Sequence, residues 1–184
     1  MSPTADTSVR VAWADDAAAI ARAQLDAWHE QYRDLPASVT AGLDPDAVAA
    51  SWHHALTRPG DARNRVLVAL LRNQVQGFVT TSPAADPDCD PIVVGEVGEL
   101  TVPSAQRRQG HGSRLLQAAA DTLTSDRFTR AVTWVNAADD ETRKFLTAAG
   151  WAPDGAYREL ELDVAAPGTE PQRLKQVRLH TALA

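Results

Sequence analysis

The chain has little of several residue types, and each shortage excludes a class of protein. Its 184 residues include a single cysteine, Cys89, so no internal disulfide can form. The neighbouring carboxylates of Asp88 and Asp90 would raise the pKa of this thiol, which argues against a nucleophilic role. No stretch approaches the roughly 18 apolar residues of a membrane span, and the N-terminal segment lacks the apolar core of a signal peptide. We therefore expect a cytoplasmic protein without a membrane partner.

Positive charge is also scarce and is spread along the chain. The formal net charge is −6, and two lysines stand against sixteen arginines, a bias typical of a GC-rich bacterial genome. Because nucleic-acid binding needs a basic face, this composition argues against a nucleic-acid partner. The length predicts one domain over residues 1–184, and residues 1–7 are expected to form a disordered N-terminal tail.

The spacing of apolar residues and turn signals predicts a mixed α/β architecture. Asp15 or Asp16 can cap a first helix, Asp44-Pro45 begins a second, and Gly150 follows the last. The pattern indicates a mixed sheet of about seven strands with helices on both faces. The predicted order is β-α-α-β-β-β-α-β-α-β-β, with strands over 8–13, 65–71, 75–80, 92–102, 130–135, 156–164 and 174–181, and helices over 17–32, 47–56, around 115–123 and up to 149.

The most informative segment joins an apolar strand, a basic loop that contains glycines, and the start of a helix. Gly110 and Gly112 let the backbone approach a ligand closely. The first N–H groups of the helix have no intrahelical acceptor, so they can donate to a phosphate oxygen. Arg107, Arg108 and Arg114 bring positive charge to the same place. The segment therefore predicts a site for an anion.

Two other interpretations of this loop remain. The glycines could serve an ordinary strand-to-helix turn, although the arginines and the second glycine exceed what a turn requires. A dinucleotide-binding fold is a weaker interpretation, because Leu115 stands where a third glycine is expected. Residues 103–109 also separate the strand from the glycine, where that fold has an immediate turn. The pattern thus favours a phosphate-bearing ligand outside the dinucleotide folds.

The same loop carries a resemblance to a known family that extends over nearly the whole chain. The pattern Arg-x-x-Gly-x-Gly at 107–112, after a Leu-x-Val strand, resembles the GCN5-related N-acetyltransferase (GNAT) family. Asn136 after a strand, with a helix that ends in Gly150-Trp151, looks like the second signature of that family. The segments 27–32 and 34–36, Ala-Trp-x-x-x-Tyr and Asp-Leu-Pro, are similar to a bacterial subgroup whose substrates are mostly unassigned. Together these motifs are a strong resemblance.

The resemblance implies an enzyme that moves the acetyl group of acetyl-CoA directly to an amine in a ternary complex. In this family the fourth strand splays from the fifth, and acetyl-CoA lies in the gap, its pantetheine arm pairing with the fourth strand. The pyrophosphate meets the N–H groups of the glycine loop, and no metal is implied. The residues that match the acetyl-CoA site are Leu100, Thr101, Val102, Arg107, Arg108, Gln109, Gly110, His111, Gly112, Ser113 and Asn136.

The amine must lose a proton before it attacks, because a lysine-like ammonium has a pKa near 10.4. A base is therefore needed, directly or through water. Glu96 matches the acidic residue near the start of the family's fourth strand and is the predicted base, with Glu99 in reserve. A solvated or structurally paired carboxylate is the equal alternative for Glu96. Strict alternation puts the two glutamates on opposite faces, and a bulge would change this.

One position departs from the family pattern. Many members carry a tyrosine four residues before the helix-ending glycine, where it protonates the leaving thiolate, and this chain has Leu146. Tyr157 or Tyr32 could replace it, or the thiolate leaves without an acid. The departure keeps open a second function, a non-catalytic acyl-CoA-binding or regulatory module on the same fold.

The acceptor of the acetyl group is an unidentified small-molecule or peptide amine. Trp28 and Tyr32, four residues apart on a helix, are candidate substrate-binding residues, and packing in the core is the competing interpretation. The resemblance also allows a homodimer. His53 and His54 lack a third ligand at metal-binding spacing. The Asp86 to Asp90 cluster lacks the glycine and distal glutamate of a calcium loop, so it predicts a solvated turn.

Overall fold

The computed structural model describes residues 6–33, 42–162 and 172–184. Within these residues the order of strands and helices is the predicted one. The Asp34-Leu-Pro36 segment lies outside them. No helix of the described ranges is long and apolar enough to cross a membrane. The strands are β1 (Thr7–Val11), β2 (Arg65–Leu71), β3 (Gln74–Pro83), β4 (Val94–Thr101), β5 (Arg130–Asn136), β6 (Ala152–Leu162) and β7 (Gln172–Ala182), and the helices are α1 (Ala17–Gln31), α2 (Pro45–Thr57), α3 (His111–Ser125) and α4 (Asp140–Ala148).

The described strands form one mixed seven-stranded sheet in the order β1-β2-β3-β4-β5-β7-β6, which confirms the predicted fold class. All pairs of neighbouring strands are antiparallel except the pair β4–β5, which is parallel. The parallel ladder between these two contains only the pairs from Val94–Arg130 to Glu96–Val132. Beyond it, β4 pairs with β3 alone and β5 with β7 alone. The two central strands therefore separate after Glu96.

Helices cover both faces of the sheet, as the alternation of β2 requires. Val66, Val68 and Leu70 pack with Ile20 of α1, whereas residues 67 and 69 pack with the α3 side of the core. Burying each large aliphatic side chain contributes about 1.5–3 kcal/mol to folding. The strand is buried on both faces, which explains its continuous apolar sequence.

Several strand boundaries differ from the sequence prediction. β1 begins at Thr7, which pairs with Leu71, so this residue belongs to the sheet and not to a tail. β4 begins at Val94 and not at residue 92, because the N–H groups of residues 93 and 94 donate to Asp90 in a turn. β6 begins four residues early, and its register shifts around Gly155, whose φ is +89°. This irregularity hides the start of the strand from a pattern of alternation.

The helix termini follow the predicted capping chemistry with one exception. The carboxylate of Asp44 accepts from the backbone of α2 at 3.0 Å, and Asp139 accepts from the N–H of Thr142 in α4 at the same distance. Gly150 follows α4 with a φ of +90°, a left-handed conformation that favours glycine. Asp16 does not cap α1; its carboxylate accepts from the N–H of Trp13 at 2.7 Å and closes a preceding 3₁₀ turn.

Candidate active site

A cleft of about 760 Å³ opens where β4 and β5 separate. Its walls are residues 96–102, residues 133–136, the C-terminal turns of α1 and the first turns of α4. Beyond Glu96, the side of β4 that faces the cleft has no strand partner among the described residues. Backbone N–H and C=O groups on such an edge can pair with an extended ligand. The cleft therefore fits a chain-like molecule that carries amide groups.

A β-bulge in β4 decides which side chains face the cleft. The register with β3 shifts so that Gly98 and Glu99 together oppose Thr80. The N–H of Glu99 donates to the hydroxyl of Thr80 at 3.0 Å. Because the bulge adds one residue, Glu96 and Glu99 lie on the same face of the sheet. The expectation from strict alternation, which separated them, is wrong.

Glu99 accepts hydrogen bonds from α1 and from its own strand, β4. Its carboxylate accepts from Gln24 Nε2 at 2.6 Å, Trp28 Nε1 at 3.2 Å and Thr101 Oγ1 at 3.1 Å. Gln24 in turn accepts from Trp52 Nε1 of α2 at 2.8 Å. Burial raises the pKa of Glu99, although the three hydrogen bonds oppose this. A carboxylate has about four acceptor positions, so one stays available for a proton donor in the cleft.

Glu96 occupies the point where the two strands part. It is the last β4 residue that pairs with β5, and its half-buried carboxylate accepts from the N–H of Ala85 at 3.3 Å. Its side chain lines the cleft and also an adjoining cavity of about 560 Å³. Both predicted base residues therefore reach the same space, and the assignment of the base between them stays a prediction.

The glycine loop leads into α3 with the geometry of an anion site. Gly110 is the N-cap with a φ of +79°, and Arg114 is the first residue whose N–H bonds within the helix, to the carbonyl of Gly110 at 3.1 Å. The N–H groups of residues 111–113 thus have no intrahelical acceptor, and the helix dipole favours an anion there. A Cβ on Gly112 would lie 3.6 Å from Phe145, an ordinary contact. Packing of the protein therefore does not require a glycine at 112.

The arginines of the loop are less available than the sequence suggests. Arg107 donates through Nε to the carbonyl of Val102 at 3.0 Å and lies 3.6 Å from the Glu141 carboxylate. Arg108 lies 3.5 Å from the same carboxylate. These pairs are solvent-exposed, so each contributes less than about 1 kcal/mol. A phosphate group can therefore displace Glu141 at little cost.

His111, which the resemblance assigns to the acetyl-CoA site, has a buried side chain between the two glycines of the loop. Its side chain is 1% exposed, and within the described part of the chain neither ring nitrogen has a hydrogen-bond partner. Burial lowers the pKa of His111, and the charge of Arg114 acts in the same direction. The imidazole is therefore held neutral inside the protein, and only its backbone N–H is placed to meet a ligand.

Asn136 and Tyr32 face each other across the cleft. Asn136 ends β5, and its side-chain oxygen accepts from Gln176 Nε2 of β7 at 3.3 Å. Burial raises the pKa of Tyr32, hydrogen bonding with Asn136 opposes this rise, and the charge of Glu99 adds to it. The Tyr32 hydroxyl is thus protonated at neutral pH. Both predicted substrate-binding residues, Trp28 and Tyr32, line the cleft.

The two tyrosines considered in place of the missing acid have different surroundings. Leu146, at the position of the family's tyrosine, is 2% exposed and belongs to the hydrophobic core. Tyr157 is 65% exposed, and its ring lies 4.8 Å from Lys175 Nζ, outside the residues that line the cleft. Tyr32 is therefore the tyrosine that the fold brings to the cleft.

A buried ion-pair cluster beside the site was missed in the sequence. Arg178 is 7% exposed and lies 3.1 Å from Asp86, 2.5 Å from Asp88 and 2.8 Å from Asp154. Hydrogen bonding with Arg178 lowers the pKa of Asp88 to about 2. The segment that begins at Asp86 is the expected turn, with exposed Asp88 and Asp90, but Arg178 also ties Asp86 and Asp88 to the sheet. Because Asp88 and its partner are 90 residues apart, no local pattern could have shown the pair.

The adjoining cavity lies between this acidic loop, β5 and β6. It shares Glu96, Trp134 and Arg158 with the cleft. Among residues 6–33, 42–162 and 172–184, no group of three or more His, Cys, Asp or Glu side chains is arranged to hold a metal ion. The cleft and this cavity meet at a wall that carries both acidic and basic side chains.

Comparisons with known proteins agree with this geometry. Similar solved structures include an N-acetyltransferase from Staphylococcus aureus Mu50, with 15% identity, a TM-score of 0.68 and coverage of 98% of this chain and 100% of that one. The yncA protein from Salmonella typhimurium, a putative acetyltransferase solved with its cofactor acetyl-CoA, has 15% identity, a TM-score of 0.65 and coverage of 97% and 95%. A ribosomal-protein-alanine N-acetyltransferase from Brucella melitensis has 18% identity, a TM-score of 0.67 and coverage of 96% and 99%.

These likenesses show the fold. A search of curated protein sequences finds no match. The model of the Acetyltransferase (GNAT) family matches residues 20–151, a range that contains the splayed strands, the glycine loop and both glutamates. The chain therefore belongs to the GNAT acetyltransferase family.

Proposed function

We propose that the protein transfers the acetyl group of acetyl-CoA to the nitrogen of a primary amine. The observation that carries this proposal is the cleft between β4 and β5, which joins an open strand edge, a helix N-terminus and two carboxylates on one wall. Two similar structures, yncA from Salmonella typhimurium and PaiA from Thermoplasma acidophilum, were solved with acetyl-CoA and coenzyme A, respectively. Positioning both reactants in one cleft can supply about 7–11 kcal/mol of the barrier.

The chain offers a separate group for each part of acetyl-CoA. The backbone edge at residues 100–101 that faces the cleft fits the amides of the pantetheine arm, whereas the carbonyl of Val102 already accepts from Arg107. The N–H groups of residues 111–113 fit the pyrophosphate oxygens. Asn136 lies on the opposite wall, where its amide can hydrogen-bond the same arm. No step needs a metal, because both charge and position come from these groups.

We assign the base to Glu99. Its burial raises its pKa towards the working range of a general base, and its one open acceptor position can take a proton from the amine or from a bridging water. As the proton moves to Glu99, the amine nitrogen bonds to the carbonyl carbon of the thioester. The C–S bond then breaks, and the sulfur leaves with the electron pair. Glu96, on the same face, attracts the incoming ammonium.

We assign the protonation of the departing thiolate to Tyr32. Its hydroxyl carries a proton at neutral pH, because burial and the charge of Glu99 raise its pKa. The proton passes from the hydroxyl to sulfur and gives the free thiol of coenzyme A. The nitrogen loses its second proton as the amide forms, and this proton returns to the Tyr32 oxygen through solvent. This assignment gives the role of the family's tyrosine to a different element, because Leu146 lines the cleft but has no proton to donate.

Leu146 also favours a second function, that of a non-catalytic acyl-CoA-binding or regulatory module. A chain without the usual acid can bind acetyl-CoA and use it as a signal without turnover. Release of free coenzyme A in the presence of amines separates the two functions, because only the transferase produces it. Both require that acetyl-CoA binds in the cleft.

Calorimetric titration of acetyl-CoA tests this common requirement. We expect micromolar binding by the parent protein and about tenfold weaker binding by Gly112→Ala, since the added methyl fits the protein but crowds the phosphate site. Gly60→Ala is the matched control, because its φ is not left-handed, no atom lies within 4 Å of the new Cβ, and the residue is outside those that line the cleft. Absence of binding by the parent would refute both functions.

A further inference from the structure

Arg158 lies at the boundary between the cleft and the adjoining cavity, and two neighbours fix its orientation. Its guanidinium carbon lies 4.3 Å from the centre of the Trp134 ring. Its Nε donates to Gln176 Oε1 at 2.7 Å, and Gln176 donates onward to Asn136 at 3.3 Å. Stacking on an indole and a hydrogen bond at Nε reduce the freedom of a long side chain. The guanidinium is therefore pre-positioned.

The two terminal nitrogens of Arg158 carry N–H donors that have no acceptor among the described residues. Within the described residues Arg158 forms no ion pair, whereas Arg107 of the same cleft is close to Glu30 and Glu141. Arg33 and Arg158 both line the cleft and are both exposed, but of these two only Arg158 stacks on an aromatic ring among the described residues. The terminal nitrogens of a guanidinium carry four N–H donors in a planar fork that matches a carboxylate. Arg158 therefore has a fixed orientation and N–H groups that are free to bind an anion.

The strand register puts this arginine on the same face as the proposed chemistry. Glu96 pairs with Val132, and Trp134 lies two residues further along β5 on that face. Arg158 pairs with Gln176, which pairs with Asn136, again on that face. A positive group therefore faces the same concavity as the two glutamates. The nearby Arg178 does not compete for an anion, because three aspartates already surround it.

We propose that the acceptor is a free amino acid or another small amine that carries a carboxylate, and that Arg158 binds this carboxylate over Trp134. This inference rests on the proposed acetyl transfer. The ammonium end of such a molecule meets Glu96 and Glu99, while the carboxylate end meets the guanidinium fork. One molecule with both charges satisfies both ends of the concavity. A simple amine or a peptide N-terminus would leave the fork without a partner.

The test compares acceptors that differ only in the carboxylate. Initial rates of coenzyme A release are measured with a set of L-amino acids and with the amides of the same amino acids. For the parent we expect kcat/KM about tenfold or more higher for the best acid than for its amide. Arg158→Gln should lower kcat/KM for the acid about 10- to 100-fold, mainly through KM, and leave the amide unchanged. Arg158→Lys keeps the charge but loses the planar fork, so its kcat/KM for the acid should lie between those of the parent and of Arg158→Gln.

Arg173→Gln is the matched control. Arg173 lies on β7 in the same hairpin, pairs at the surface with Glu159 and Glu161, and is outside the residues that line either cavity. The Arg173→Gln variant should keep the parent's preference for amino acids over their amides. Equal rates with acids and amides, an equal effect of Arg158→Gln on both, or the absence of any accepted acid while acetyl-CoA still binds would each overturn the inference. Failure to bind acetyl-CoA would instead refute the proposed function, and this inference with it.

Discussion

Replacing Glu99 by glutamine keeps the size of the side chain but removes the carboxylate that we propose takes the amine proton. The new side chain still offers one oxygen to the donors of Gln24, Trp28 and Thr101. Its NH₂ group, however, must face at least one of these donors. A lost hydrogen bond costs about 1–3 kcal/mol, and removal of a buried charge gives back a similar amount. The variant should therefore fold with nearly unchanged stability.

The effect on catalysis should be much larger. A general base contributes about 10²–10⁴-fold to the rate, which corresponds to about 3–5 kcal/mol in the activation barrier. The base acts in its ionised form, so the rate of the parent should rise with pH through the pKa of Glu99. Burial places this pKa above its ordinary value of 4.5. Glu99→Gln should lack this acidic limb of the pH profile.

The assay is the release of free thiol from acetyl-CoA over a pH series, with the best acceptor of an amine panel. Calorimetry should give the same acetyl-CoA affinity for parent and variant. Glu96→Gln is the comparison on the same face, and its effect should appear mainly in KM, because Glu96 attracts the ammonium. A variant at position 99 that keeps kcat within about fivefold and retains the acidic limb would refute the assignment of the base.

Two further predictions concern residues around the cleft. Tyr32→Phe should lower kcat by about 10²-fold or less, since a thiolate is a good leaving group, and leave acetyl-CoA affinity unchanged; an effect on KM alone would exclude Tyr32 as the acid. Arg178→Met should lower the free energy of unfolding in urea by about 3 kcal/mol, because the largely buried carboxylates of Asp86 and Asp154 lose a counter-charge, although Arg130 stays 3.4 Å from Asp154. Adding Asp154→Asn to that variant should recover part of the loss, and Arg173→Met should stay within about 0.5 kcal/mol of the parent. A loss below about 1 kcal/mol for Arg178→Met would contradict the cluster.

The order of the elements and the position of the glycine loop before α3 could be predicted from the sequence, because both depend on short-range backbone chemistry. Asp44-Pro45 begins a helix through capping and a preset φ, and Gly150 ends one through a positive φ. Gly110 before α3 creates free N–H groups within four residues of chain. Each of these signals acts on its neighbours, so each can be recognised in a single sequence.

The faces, partners and charge states of the site depend on tertiary structure. The bulge that brings Glu99 beside Glu96 exists only because β4 pairs with β3 out of step at Thr80. The raised pKa of Glu99 depends on its burial against α1, and the fixed orientation of Arg158 depends on a ring from another strand. Register and burial are set by contacts between distant segments, and the sequence alone carries no local signal for them. The sequence therefore determined the family and the position of the candidate anion loop, whereas the packing of the sheet decided which acidic, basic and hydroxyl side chains line the cleft.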